Sequence, residues 1–367
     1  MEKVRFVGLD VHKDSIAIAV AELRGGEPAV LATIPTDTQA LVMRLKKLGP
    51  VGSVRCCYEA GPTGYGLHRD LNAAGIECVV VAPSLVPRQS GDRVKTDRRD
   101  AIRLARFLRS GDLTEVHVPD AQTEAMRDLE RARDDAKKME RVARHQLSKF
   151  LLRHGRTYEG KTSWTKPHLA WVRSQQFAHE AQQRVLTDHL KAVEDATARV
   201  VSLTSSIEAL VDSWSLAPLV KALQALRGIR LVTAVIIAAE LGDLSRFRSA
   251  PALMAYLGLV PSEHSSGESK RRGKITRTGN THVRRVLVEA AWAYRFRERM
   301  SDAIRKRNEG VSPEVARIAW KAQERLCGRY RKLQGRGMNK QRTVTAVARE
   351  LAGFLWDIGR QEQLLAA

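Results

Sequence analysis

Three short apolar runs open the chain, Val4 to Asp10, Ile16 to Val20 and Pro28 to Ile34. Their connections, Val11 to Asp14 and Arg24 to Glu27, are short enough for hairpins, so the runs are expected to pair as antiparallel strands. The period then changes. Thr38 to Leu48 carries apolar residues at helical spacing and stops at Gly49-Pro50; Val54 to Tyr58 is strand-like; Gly64 to Ala74 predicts a helix closed by Gly75; Cys78 to Val81 predicts a strand. A further helix begins in Lys95-Thr96-Asp97-Arg98-Arg99-Asp100-Ala101, with Thr96 or Asp97 as its N-cap. Its stripe of Ile102, Leu104, Ala105 and Leu108 ends at Ser110-Gly111.

Three antiparallel strands followed by helix, strand, helix, strand, helix is the chain order of the ribonuclease H-like fold, a mixed α/β sheet flanked by helices. In that order Asp10 ends the first strand and Glu59 the fourth, and ligand sites of open sheets lie outside strand ends where the strand order reverses. Asp97 and Asp100, three residues apart, share one face of the next helix's first turn. Each acid alone also suits a plain structural role, as a solvated cap or turn residue. Four carboxylates that close repel unless cations neutralise them, and hard oxygen donors suit Mg²⁺ or Mn²⁺. Two such ions ~4 Å apart are a common device for in-line attack at phosphate.

Charge names the class of partner. Among 367 residues, 62 are Lys or Arg against 41 Asp or Glu, a net charge of +21, so a polyanion is expected and nucleic acid first. A membrane surface is the competitor, but the longest apolar run, Ala234 to Ala239, is far short of the ~20 residues that span a bilayer. The N-terminus leads directly into a strand-like run and not a signal peptide, so a cytoplasmic location is expected. Cys56, Cys57, Cys78 and Cys327 lack metal-ligand spacing and read as reduced core thiols.

Three segments are expected: residues 1–118 as the sheet domain, 119–215 as a helical hairpin, and 216–367 as a mainly helical domain. In the hairpin, Met126, Leu129, Ala132, Ala136, Met139, Ala143, Leu147 and Phe150 form one narrow stripe. Leu186, Leu190, Val193, Val200, Leu203, Ile207 and Leu210 form another, as in a coiled coil that closes on itself or on another subunit. Trp164 and Trp171 at its tip suit packing there or stacking on nucleotides. Beyond it, the Gly228 turn before an apolar helix resembles a helix-hairpin-helix, although Arg230 stands where a second Gly is common. Ser262, Ser265 and Ser266 then form a hydroxyl-rich loop. The basic run Lys270, Arg271, Arg272, Lys274 and Arg277 follows, suited to a phosphodiester and equally to a solvated loop. Trp292, Tyr294, Trp320 and Trp356 are expected in the core.

Taken together, Gly8-Leu9-Asp10-Val11-His12-Lys13, Glu59-Ala60-Gly61-Pro62-Thr63-Gly64, Lys95 to Ala101 and the block from Gly258 to Asn280 resemble insertion-sequence transposases of the DEDD class, relatives of the pilin-gene invertases. The resemblance covers nearly the whole chain. It implies an N-terminal domain like the Holliday-junction resolvases, a coiled-coil insert and a C-terminal transposase domain. It places the acidic quartet on Asp10, Glu59, Asp97 and Asp100 and the nucleophilic serine on Ser266, with Ser265 one register away. It further implies a homo-oligomer, a dimer assembling to a tetramer, in which carboxylates of one subunit act with the serine of another. Donor and target DNA and a structured non-coding guide RNA would be its partners. Two rivals are a junction-resolving nuclease in which water attacks and an element protein that binds nucleic acid without cutting. An actin-like kinase shares Gly8-Leu9-Asp10 but would need a second phosphate loop that the sequence does not display.

Overall fold

The computed structural model describes residues 4–23, 25–50, 52–87, 96–266 and 269–366, and the chain forms two compact units, Met1–Val118 and Pro119–Ala367. In the first unit the elements run β1 (Arg5–Val11), β2 (Ser15–Glu22), β3 (Ala29–Pro35), α1 (Thr38–Lys46), β4 (Val54–Glu59), α2 (Gly66–Ala73), β5 (Glu77–Val81) and α3 (Asp97–Ser110). The sheet order is β3-β2-β1-β4-β5. β1 pairs antiparallel with β2 and parallel with β4, so the direction of connection reverses at β1/β4, as the hairpin lengths and the later helical crossovers require.

Both sheet faces are covered, and strand period two sorts the residues between them. Val7, Leu9, Cys56, Tyr58, Cys78 and Val80 face α1 and α2 through Leu41, Leu45 and Leu71. Phe6, Ala17, Ala19, Cys57 and Val81 pack instead with Ala101, Leu104, Ala105 and Leu108 of α3. The small residues on this second face let the helix lie close. Closest is Gly8, where an added Cβ would stand 2.1 Å from the Ala101 carbonyl oxygen and 2.4 Å from the Ala105 nitrogen. Thr96 caps α3 by accepting from the Arg99 amide, and Gly111, in the left-handed region at φ 77°, ends it.

The second unit comprises α4 (Ala121–Arg153), α5 (Lys166–Ser174), α6 (Glu180–Leu210), α7 (Ala217–Leu223), α8 (Leu231–Leu241) and α9 (Ala250–Tyr256). A two-stranded ribbon, β6 (Pro261–Ser266) and β7 (Ser269–Ile275), follows, then α10 (Thr281–Ala291), α11 (Asp302–Arg307), α12 (Pro313–Gly335) and α13 (Lys340–Ala366). α8 is buried from Ala234 to Leu241 and lies in a core with residues of α7, α10, α12 and α13. The buried Tyr294 belongs to it, with Trp292 and Trp356 packed at its edge.

The two long helices, each about 50 Å by their length, run antiparallel, since Arg133 donates to Thr204 at 2.8 Å and Thr197 to Glu140 at 3.2 Å. The seam departs from the purely apolar stripes expected. Met139 and Leu210 are 57% and 49% exposed, while Glu140 is buried and joined to Lys137 and Arg144. Trp164 and Trp171 pack at the tip against Leu147, Phe150, Val172 and Leu186. No helix among the described residues is long and apolar enough to cross a membrane.

Candidate active site

The four acids singled out in the sequence lie at one end of the sheet. Asp10 and Glu59 follow the last ladder pair of β1 and β4, Leu9 with Tyr58, and share strand parity with Gly8 and Cys57. Period two therefore points both towards α3, whose first turn carries Asp97 and Asp100 at the start of the buried stripe. Asp100 is buried and Asp97 exposed.

Two side chains, His12 and Arg103, knit strand acids to helix acids. His12 Nε2 lies 3.2 Å from Asp10 Oδ2 and 3.5 Å from Asp97 Oδ1. Arg103 Nη2 lies 2.9 Å from Asp100 Oδ1 and 3.4 Å from Glu59 Oε1. Neither partner was assigned a role from sequence. The available signals were spacing alone: His12 two residues beyond the strand-end acid, Arg103 one helical step beyond Asp100. His12 is held by its backbone, its amide donating to Ser15 O and its carbonyl accepting from Thr36 Oγ1.

Burial raises the Asp10 carboxyl above the usual carboxylate range; His12 opposes this, while the charges of Asp100 and Asp97 add to it. Asp10, His12 and Asp97 present donor atoms all within 4.8 Å of one another. This oxygen-rich set with one imidazole fits a hard or borderline divalent cation, which would relieve the charge that perturbs Asp10.

The second unit carries the serines and the basic run, and here the expected loop is an antiparallel ribbon. Its ladder pairs Ser265 with Lys270 and Ser266 with Ser269. Gly267 and the side chains of Ser265, Ser266, Lys270, Arg271 and Arg272 lie outside the described residues, as does Lys95 in the first unit. Lys274 and Arg277 are exposed. Arg277 holds φ 59°, a conformation costly for a side-chain-bearing residue and maintained by its surroundings.

Those surroundings are the base of the ribbon. Gly258 and Gly279 both have positive φ, and an added Cβ would stand 2.5 Å from the Thr278 backbone in one case and against Tyr256 O in the other. Two backbones thus meet where no side chain fits. Arg284, buried on α10, donates to Leu257 O at 2.8 Å and Thr278 O at 2.7 Å, so one guanidinium holds both the entry and the exit of the ribbon.

The chain is similar to known proteins along most of its length. Residues 7–155 match the DEDD transposase model of IS110 elements, and residues 220–305 match the model described as Transposase IS116/IS110/IS902 family. A Sinorhizobium fredii protein named as a transposase, y4qE, is 50% identical over 358 residues, 97% of this chain and 88% of its own length. The transposase for insertion sequence element IS1533 of Leptospira borgpetersenii is 31% identical over 338 residues, 91% of this chain and 98% of its own. The transposase for insertion sequence element IS1328 of Yersinia enterocolitica is 23% identical over 360 residues, 87% and 97% of the two chains. The DEDD family implies a divalent metal ion and a DNA substrate. The chain belongs to the IS116/IS110/IS902 family of insertion-sequence transposases.

Proposed function

We propose that this transposase cuts and rejoins donor and target DNA with two sets of groups, the metal-binding acids Asp10, Glu59, Asp97 and Asp100 and the nucleophile Ser266. The observation that carries the reading is the meeting of strand-end and helix-start carboxylates at the β1/β4 reversal, cross-linked by His12 and Arg103. The ion is Mg²⁺ or Mn²⁺, as the carboxylate-rich donor set favours. When bound it lowers the pKa of an attacking hydroxyl and stabilises charge on phosphoryl oxygens.

The chain's own residues do the rest. Ser266 Oγ forms a bond to phosphorus while the bond from phosphorus to a deoxyribose oxygen breaks. The serine proton passes to a base, the leaving oxygen is released as a hydroxyl, and a phosphoserine link retains the bond energy. Attack of a strand hydroxyl on that link restores the serine and joins the new strand. Arg277 and Lys274, with Lys270, Arg271 and Arg272, serve as phosphate clamps on the strand that carries the serine.

A guide RNA is the further partner. Its support is the net charge of +21 and a cleft of about 650 Å³, lined in part by Trp164, in which Lys137, Lys138, Arg141, Arg144 and Arg285 outnumber the acids Asp134, Glu140 and Glu289. We place the working assembly as a homo-oligomer, a dimer that forms a tetramer, in which one subunit's acids act with another's serine.

The test is a denaturing gel of labelled donor DNA with protein, Mg²⁺ and guide RNA, followed by mass spectrometry of any linked peptide. The expected result is an adduct on Ser266, absent in Ser266→Ala and in Asp10→Asn/Asp97→Asn. Mixing those two inactive proteins should restore activity. Cleavage without an adduct would mean that water attacks, and an adduct on Ser265 would move the register by one.

A further inference from the structure

A second cluster of donors lies in the second unit, apart from the acidic quartet and the ribbon serines. Glu130 of α4 is 1% exposed, and no described N–H or O–H group donates to either of its carboxylate oxygens. Next to it stands Glu240 of α8, also buried, whose oxygens accept from Arg131 Nε at 2.7 Å and Asn280 Nδ2 at 2.6 Å. The third member is His282, on the first turn of α10, with Nδ1 3.7 Å from Glu130 Oε1 and 3.9 Å from Glu240 Oε1. Donor atoms of all three lie within 4.8 Å of one another.

These separations are too long for hydrogen bonds. They are close to the ~3.4–3.6 Å between two ligands that each stand ~2.1 Å from one ion in tetrahedral or trigonal geometry. Arg131 pairs directly with Glu240 and acts on Glu130 only through its charge, and two buried carboxylates side by side are strongly unfavourable. A mixed set of two carboxylates and one imidazole suits a borderline divalent cation. Beside the cluster opens a cleft of about 360 Å³, lined in part by Arg131, Asp134, Asn280 and His282, which gives an ion an entry path and room for a water ligand.

We propose that Glu130, Glu240 and His282 form a second divalent-cation site, of the Zn²⁺ or Mn²⁺ class, that staples α4, α8 and α10 together. Its place gives it a purpose. Asn280 donates to Glu240 and, through Oδ1, accepts from the Val283 amide at 2.9 Å, capping α10 directly after the ribbon. An ion there fixes the point from which the ribbon's exit strand is hung, and acts through position without touching DNA.

The experiment uses the full chain, stripped with chelator, with Asp10→Asn/Asp97→Asn removing the first site. Zn²⁺ should still bind one equivalent per chain in that background and raise its melting temperature. Co²⁺ should give an absorption spectrum with imidazole nitrogen coordination. Adding Glu130→Gln, whose amide can donate to Glu240 and so keeps the fold, should weaken Zn²⁺ at least ~100-fold, and His282→Ala should abolish the nitrogen signature. Failure of the background protein to bind Zn²⁺, or equal Zn²⁺ stabilisation with and without Glu130→Gln, would overturn the site and leave a proton shared between the carboxyls. Because the background lacks Asp10 and Asp97, two of the four acids of the proposed catalytic centre, neither result bears on that centre.

Discussion

Replacing Gly8 by Ala tests whether the close approach of β1 and α3 builds the acidic centre. The added methyl carbon would stand 2.1 Å from Ala101 O, 2.4 Å from Ala105 N and 2.8 Å from Leu104 Cβ. Two of these are helix backbone, which cannot rotate away. Non-bonded atoms need ~3.5 Å, so α3 must withdraw by ~1 Å or more along this line. Overpacking of a tight core costs about 1–3 kcal/mol and occasionally more, and a rigid partner puts this substitution at about 3. For a unit of this size that is a fall of about 10 °C in its melting temperature. Asp97 and Asp100 move with α3, and a 1 Å misplacement of catalytic groups costs ~100-fold in rate. Donor-strand cleavage at 25 °C, where the variant remains folded, should therefore drop by about that factor. Gly66→Ala, where an added Cβ meets nothing within 4 Å, is the control and should change neither quantity. Wild-type melting and cleavage in Gly8→Ala would refute the reasoning, because the helix would then not be seated on the strand.

Arg103→Ala leaves the buried Asp100 without its ion pair and should cost ~1–2 kcal/mol in urea unfolding, with cleavage reduced more than binding. Arg284→Met removes the bonds to Leu257 O and Thr278 O. Amide exchange at Thr276 and Arg277, the two N–H groups that close the ribbon base, should accelerate at least tenfold while exchange in α8 stays unchanged. Substituting Lys270, Arg271, Arg272, Lys274 and Arg277 together by Ala should flatten the dependence of log affinity on log salt by about one unit for each phosphate no longer neutralised; an unchanged slope would place the interface elsewhere. The raised Asp10 carboxyl binds its proton more tightly folded than unfolded. Metal-free protein should therefore gain stability from this group as pH falls from its raised value towards the ordinary one, and Mn²⁺ affinity should weaken over the same window, read by titration at several pH values.

The meeting of the acids was legible because it rests on periodicity: strand ends, strand parity and one helix face bring Asp10, Glu59, Asp97 and Asp100 together without long-range detail. His12 and Arg103 were not, since each links a local acid to a second one, Asp97 or Glu59, that only the tertiary fold brings near. Ser262 to Ser266 lacks the β-branched alternation that marks a strand, and so polar a run gives the sequence nothing to display. In the hairpin, apolar character favoured Met139 and Leu210, but the seam follows heptad phase. Leu186, Leu190, Val193, Thr197, Val200, Thr204 and Ile207 recur at steps of three and four, and the threonines are there to answer Arg133 and Glu140.

That polar seam limits how the hairpin can move. Sliding α6 past α4 by one heptad, about 10 Å, would keep leucines and valines facing apolar neighbours and would look permissible from hydrophobic packing alone. In either direction it would also leave one of the two charges facing hydrocarbon, Glu140 opposite Leu190 or Arg133 opposite Val211, while the other meets the remaining threonine. The two helices are keyed to a single alignment. Load applied at the Trp164 and Trp171 end is therefore carried to the other end by bending of one stiff arm, with no slippage between its strands to absorb it.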